Sequence, residues 1–171
     1  MSSSDFLLSE YEKLKDEQLK RIAFRDQMIY ISLGAIGSVF SFAVENPKYF
    51  IALLILPFIT LVLGWTYLVN DEKISSIGKY LKLILIPKIN NQKSHKHIES
   101  WETYLKKDKK RKLRKGIQLI VDLTVFCVSS IASVTSFFFL ENDFSIGYII
   151  LSIVILIAVI MLMFQFIKYS N

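Results

Sequence analysis

Residues 116–140 read GIQLIVDLTVFCVSSIASVTSFFFL, and after Glu141-Asn142-Asp143 residues 144–167 read FSIGYIILSIVILIAVIMLMFQFI. The first block holds one charge, Asp122, and the second holds none. A helix needs ~20 apolar residues to cross a ~30 Å hydrocarbon core at ~1.5 Å per residue, and both blocks reach that length. A connection this short makes them antiparallel neighbours. Toward the N-terminus, residues 27–44 and 49–69 form two more uncharged blocks, joined by the turn Glu45-Asn46-Pro47-Lys48. The chain is 53% hydrophobic, close to a soluble domain. The separation of apolar blocks from charged ones, more than the total, therefore marks a membrane chain.

The expected architecture is all-α: an integral membrane protein with four transmembrane helices in two hairpins and helical cytoplasmic extensions. Residues 1–26 form a cytoplasmic amphipathic helix, 27–69 the first hairpin, 70–115 a basic helical segment and 116–169 the second hairpin. Orientation follows from Lys and Arg. The N-terminal segment carries Lys13, Lys15, Lys20, Arg21 and Arg25, the middle segment carries fourteen basic residues, and Lys168 lies near the C-terminus. The two short turns carry only Lys48. Four crossings place both termini and the middle segment on one side, which the charge count makes cytoplasmic. The N-terminus lacks the pattern of a cleaved signal peptide, so the first apolar helix is expected in the mature protein.

Helical spacing extends beyond the blocks. Ser2, Ser3, Ser4 and Asp5 offer caps, and Leu8, Tyr11, Leu14, Leu19 and Ile22 then recur on one face. Ile74, Ile77, Leu81, Ile84 and Leu85 do the same until Pro87. A third extension is expected from Ile98 through Trp101, Tyr104 and Leu105 into the third block. The three extensions should pack as a small cytoplasmic bundle.

Several residues stand out as candidates. Lys106, Lys107, Lys109, Lys110, Arg111, Lys112, Arg114 and Lys115 form a basic run. Such a run anchors topology and touches anionic headgroups, or it receives a phosphate-rich nucleotide or RNA signal. It lacks a Gly-rich phosphate loop. Asp122 is the one ionisable group well inside a block, read either as an interfacial packing residue or as part of a pore or proton-linked site. Gly34, Gly37, Ser38 and Ser41, and Ser129, Ser133 and Ser136 with Ala132, are small-xxx-small pairs that suit close helix packing and a homo-oligomer. The hydroxyls of the third block, with Gln165 in the fourth, also suit a polar lining. Pro57 should loosen its helix, which membrane helices tolerate when neighbours satisfy the freed backbone. Cys127 is the only cysteine and reads as a small hydrophobe. His95 and His97 have no cysteine near them, so no metal or other cofactor is expected, and no catalytic constellation is evident.

Pro57-Phe58, Gly64-Trp65, Asn70-Asp71, Ile74, Ile77-Gly78, Tyr80 and Trp101-Glu102, with Glu10-Tyr11, Leu19-Lys20-Arg21-Ile22 and Phe24-Arg25, carry a resemblance. Together they resemble small bacterial multi-pass proteins encoded beside anti-phage genes. These are four-helix effectors of nucleotide-signalling defence systems, or membrane accessory proteins of RNA-targeting CRISPR loci. The resemblance implies a defence role and transfers no functional residue. The expected function is a non-enzymatic, oligomeric membrane effector or pore-forming subunit controlled through its cytoplasmic helices. The alternative is a non-conducting sensor or adaptor that recruits a soluble partner, and a small transporter or channel ranks third. The expected partners are anionic lipid, further copies of the chain, and a cytoplasmic protein or nucleotide or RNA signal.

Overall fold

A computed structural model describes residues 3–45, 47–92, 110–141 and 145–170. Helix α1 spans Ser3–Glu45, followed by a 3-10 turn at Pro47–Tyr49 and helix α2 at Ala52–Tyr80. A π-helical segment, Leu81–Leu85, leads into α3, Ile86–Gln92. Helix α4, Arg111–Leu123, passes through a second π segment, Thr124–Val128, into α5, Ser129–Leu140, and α6 covers Ile146–Ser170. Every regular element among the described residues is helical, and four helices are long and apolar enough to cross a membrane. The chain divides into two compact units. One comprises Met1–Arg25 and Val69–Arg114, the other Asp26–Leu68 and Lys115–Asn171.

In the first unit Leu81, Leu85 and Ile89 are buried against Leu7, Tyr11, Leu14, Ile77 and Tyr80. Steps of three and four residues put each set on one helix face. Two expected core positions lie outside: Leu19 is 64% exposed and Ile84 is 43% exposed. On α1 the inward face continues from Leu14 to Gln18 and Arg21, so Leu19 falls one step off it. On α2 the helix does not end at Pro87. Pro87 has no N–H and its ring crowds the preceding turn. The helix widens just before it, where the Ile86 N–H donates to Leu81 O, five residues back. That widening turns Ile84 outward while Leu81 and Leu85 stay inside.

The same two faces exchange polar bonds. Tyr80 Oη donates to Glu10 Oε1 at 2.8 Å. Gln18 Nε2 donates to Ile74 O at 3.4 Å. Arg21 Nη1 donates to Asn70 Oδ1 at 3.2 Å, while Asn70 Nδ2 donates to Arg21 O at 2.6 Å. Arg25 pairs with Asp71 at 2.8 Å. Asn70 is 6% exposed, and both ends of its amide are satisfied in this way. The expected third extension lies outside the described residues as far as Lys109, with Trp101, Tyr104, the histidines, Lys106 and Lys107, and its last part is the start of α4 at Arg111.

The Glu10 carboxylate, by accepting that bond, raises the Tyr80 phenol above its ordinary value; desolvation and charge repulsion act in the same direction. The bond therefore supports the fold below the ordinary tyrosine range and is lost as pH rises through the raised value. An alkaline titration followed by phenolate absorbance is expected to place Tyr80 among the late tyrosines. Glu10→Ala should shrink the late component by one tyrosine, and an unchanged late component would show that the Glu10 bond does not hold Tyr80 up.

In the second unit the core comprises Leu53, Tyr67, Phe126, Val134, Phe137, Val159, Leu162, Phe166 and their neighbours. The outside is also apolar. Ile146 is 76% exposed and Phe139 83%, whereas Ser32, Thr60, Asp122, Ser130, Ser133 and Ser152 are buried. A water-soluble unit has the opposite distribution.

Candidate functional site

The polar interior of the second unit is the candidate site, and its first group surrounds Asp122, which is 6% exposed on α4. One turn earlier, Gln118 Nε2 donates to Asp122 Oδ1 at 2.8 Å and to Tyr67 Oη of α2 at 2.9 Å. A single amide nitrogen has two hydrogens and spends both here. Tyr67 is itself buried, and its ring packs on Phe126 at 5.3 Å and Phe166 at 5.9 Å between centroids. Phe126 and Phe166 stack at 5.8 Å with 7° between their planes.

Gly64 makes room for this stack. A Cβ there would stand 2.8 Å from Leu162 Cδ2 and 3.1 Å from Phe126 Cβ and Cγ. Phe126 lies in the Thr124–Val128 π segment, where the Ser129 N–H donates to Thr124 O across five residues. Flanking hydroxyls serve the loosened turn: Ser129 Oγ donates to Val125 O, and Ser130 Oγ to Phe126 O at 2.7 Å.

The second group lies beyond the rings. Pro57 lacks an N–H, which frees the carbonyl of Leu53 four residues earlier. Ser133 Oγ of α5 donates to that oxygen at 2.6 Å. Thr60 Oγ1 lies within reach of Leu56 O and Pro57 O, and 2.6 Å from Ser130 Oγ. The carbonyl freed by Pro57 is thus served by a neighbouring helix. On α6, Ser152 is 3% exposed, and its Oγ has no hydrogen-bond partner among the described residues.

The expected site residues separate. Asp122 and Ser133 are buried and engaged across helices or within their own turn, while Ser129, Ser136 and Gln165 are half-buried. Gly34, Gly37, Ser38 and Ser41 are exposed, and among the described residues nothing lies within 4 Å of a Cβ at either glycine. Lys110, Lys112, Arg114 and Lys115 are exposed. Arg111 opens α4.

Gln118, Tyr67, Thr60, Ser130, Ser152 and Gly64 were not among the expected site residues. Two had a signal in the sequence: Gln118 precedes Asp122 by one turn, and Thr60 lies one turn after Leu56 and Pro57, within reach of their carbonyls. Among the described residues no three His, Cys, Asp or Glu side chains come together as a metal site would require. No family model, curated protein or solved structure matches the chain. Function therefore rests on the geometry of this interior and on the distribution of charge.

Proposed function

We propose that the protein is an oligomeric effector of a bacterial inner membrane. The second unit spans the bilayer, and both termini and the basic middle segment lie in the cytoplasm. The observation that carries this reading is the inverted distribution of polarity. Isoleucines and phenylalanines cover the outside of four helices while serines, a threonine and an aspartate lie inside. Hydrocarbon is the solvent that favours such a surface. Twenty of twenty-one basic residues on one side give the orientation. The outward face of Gly34, Gly37, Ser38 and Ser41 suits a second copy, since small residues let helices approach closely. The role this fits is pore formation or membrane perturbation in anti-phage defence, controlled through the cytoplasmic helices.

A non-conducting sensor or adaptor is the second reading. It is favoured by the filled core, in which Tyr67, Phe126 and Phe166 close the interior. Dye release from liposomes separates the two: an effector releases dye, and an adaptor holds it. Reporter fusions at Asn46 and Asn142 test orientation, and a cytoplasmic signal at either would reverse it.

The exposed start of α4 is the natural input. Replacing Lys109, Lys110, Lys112 and Arg114 with Gln is expected to leave insertion normal while removing signalling or partner binding. Full activity with intact insertion would reduce the run to a topological anchor.

A further inference from the structure

We propose that the interior of the four-helix unit is a proton path held shut by Phe126. The inference rests on the reading that this unit lies in the bilayer, and it does not require a pore between copies. On the continuous segment from α4 to α5, Gln118, Asp122, Phe126, Ser130 and Ser133 succeed one another at three- and four-residue steps. Asp122, Phe126, Ser130 and Ser133 are all buried. Proton-exchanging groups thus lie at both ends of this row and a ring lies between them. Asp122, with Gln118 and Tyr67, forms one end. The Thr60–Ser130 hydroxyl pair and Ser133 form the other. Ser130 follows Asp122 by eight residues, about 12 Å along a helix axis. Phe126 stands halfway, 0% exposed, stacked on Phe166 and against Tyr67.

Polar groups in a membrane interior weaken the fold unless they are bonded or used. Thr60, Ser130 and Ser133 are bonded. Ser152 is not: its hydroxyl is buried without a partner among the described residues. A buried orphan of this kind points to water or to a step in function. A hydroxyl accepts one hydrogen bond while donating another, so a row of hydroxyls and water passes a proton without any oxygen travelling. Such a route needs neither a wide lumen nor a coordination cage. The π segment supplies the hinge. Phe126 sits in the widened turn, and tightening that turn to α swings its ring from the axis. Water then joins the two polar ends. The Asp122 carboxylate takes one proton from the cytoplasmic side, becomes the neutral acid, and returns to the carboxylate by releasing it toward Ser130. One proton enters and one leaves.

The test uses the full chain in phosphatidylcholine–phosphatidylglycerol vesicles with an entrapped pH dye and an imposed potential. Phe126→Ala is expected to raise proton entry about tenfold or more over wild type, as lowering a barrier does. Adding Asp122→Asn should return the flux to the wild-type level, while release of entrapped calcein stays the same in all three proteins. If Phe126→Ala is not recovered as a monodisperse protein, Phe126→Leu keeps most of the apolar volume without the ring. It should give a smaller rise that still depends on Asp122. No rise in a folded variant, or a rise that survives Asp122→Asn, would overturn the proposal. A rise in calcein release equal to the rise in protons on Phe126→Ala would overturn it as well. Calcein release by wild type with a proton flux indifferent to Phe126 would leave the pore-forming effector standing and remove this path.

Discussion

Gly64→Leu is expected to prevent accumulation of folded protein. The Cβ alone would lie 2.8 Å from Leu162 Cδ2 and 3.1 Å from Phe126 Cβ. The remaining leucine carbons would enter the ring stack of Tyr67, Phe126 and Phe166. Overpacking of a close-packed core costs roughly 1–3 kcal/mol and sometimes more, against a whole stability of about 5–15 kcal/mol. Displacing the rings also forfeits aromatic pair contacts, each worth about 0.5–1.5 kcal/mol. Gly64→Ala should be milder, because its nearest neighbour is the end of a flexible Leu162 side chain. Yield, monodispersity in mild detergent and the thermal midpoint are the measurements. A wild-type midpoint for the leucine variant would show that α2 does not approach Phe126 as described.

The second large effect is a coupling between Pro57 and Ser133. Ser133→Ala strands the Leu53 carbonyl in an apolar interior, and the expected loss is about 1–2 kcal/mol. Pro57→Ala restores an N–H that reaches the same carbonyl, so the loss from Ser133→Ala should shrink in that background. A cycle of four proteins, unfolded by denaturing detergent, is expected to give a coupling of about 1 kcal/mol. Additive effects would mean that the serine serves some group other than the oxygen freed by the proline.

The four apolar helices were legible because each block is long and nearly free of charge, and no local propensity competes with that signal. Helical extensions were legible from spacing, but the detail of their faces was not. Leu19 and Ile84 fit an approximate period and still lie outside, the second because Pro87 widens the helix before it. Pro57 and Ser133 were each visible as residues needing or offering a hydrogen bond. Their pairing was not, since it depends on which face of α5 meets α2, and a hydroxyl-rich run does not declare its inner face. Ser129 and Ser136 were as prominent in the sequence as Ser130, yet Ser130 meets Thr60. Asp122 stood out by its charge alone, while its partner Gln118 comes from one turn away and bonds in turn to Tyr67 of another helix. Where the α1 glycines lie was unreadable for a simpler reason: small residues serve equally well inside one chain or between two.

The π segment at Thr124–Val128 also bears on how this chain compares with its descendants. A π turn is an α-helix that has acquired one residue, with both flanking stretches keeping their faces. Shortening the segment by a single residue therefore leaves Asp122 and Ser130 pointing inward on an ordinary helix, whereas the same deletion two turns away swings half the helix by about 100°. Two homologous chains aligned without a gap at this point would pair inward residues of one with outward residues of the other. A one-residue gap belongs here, and length variation in this helix should concentrate at these five positions.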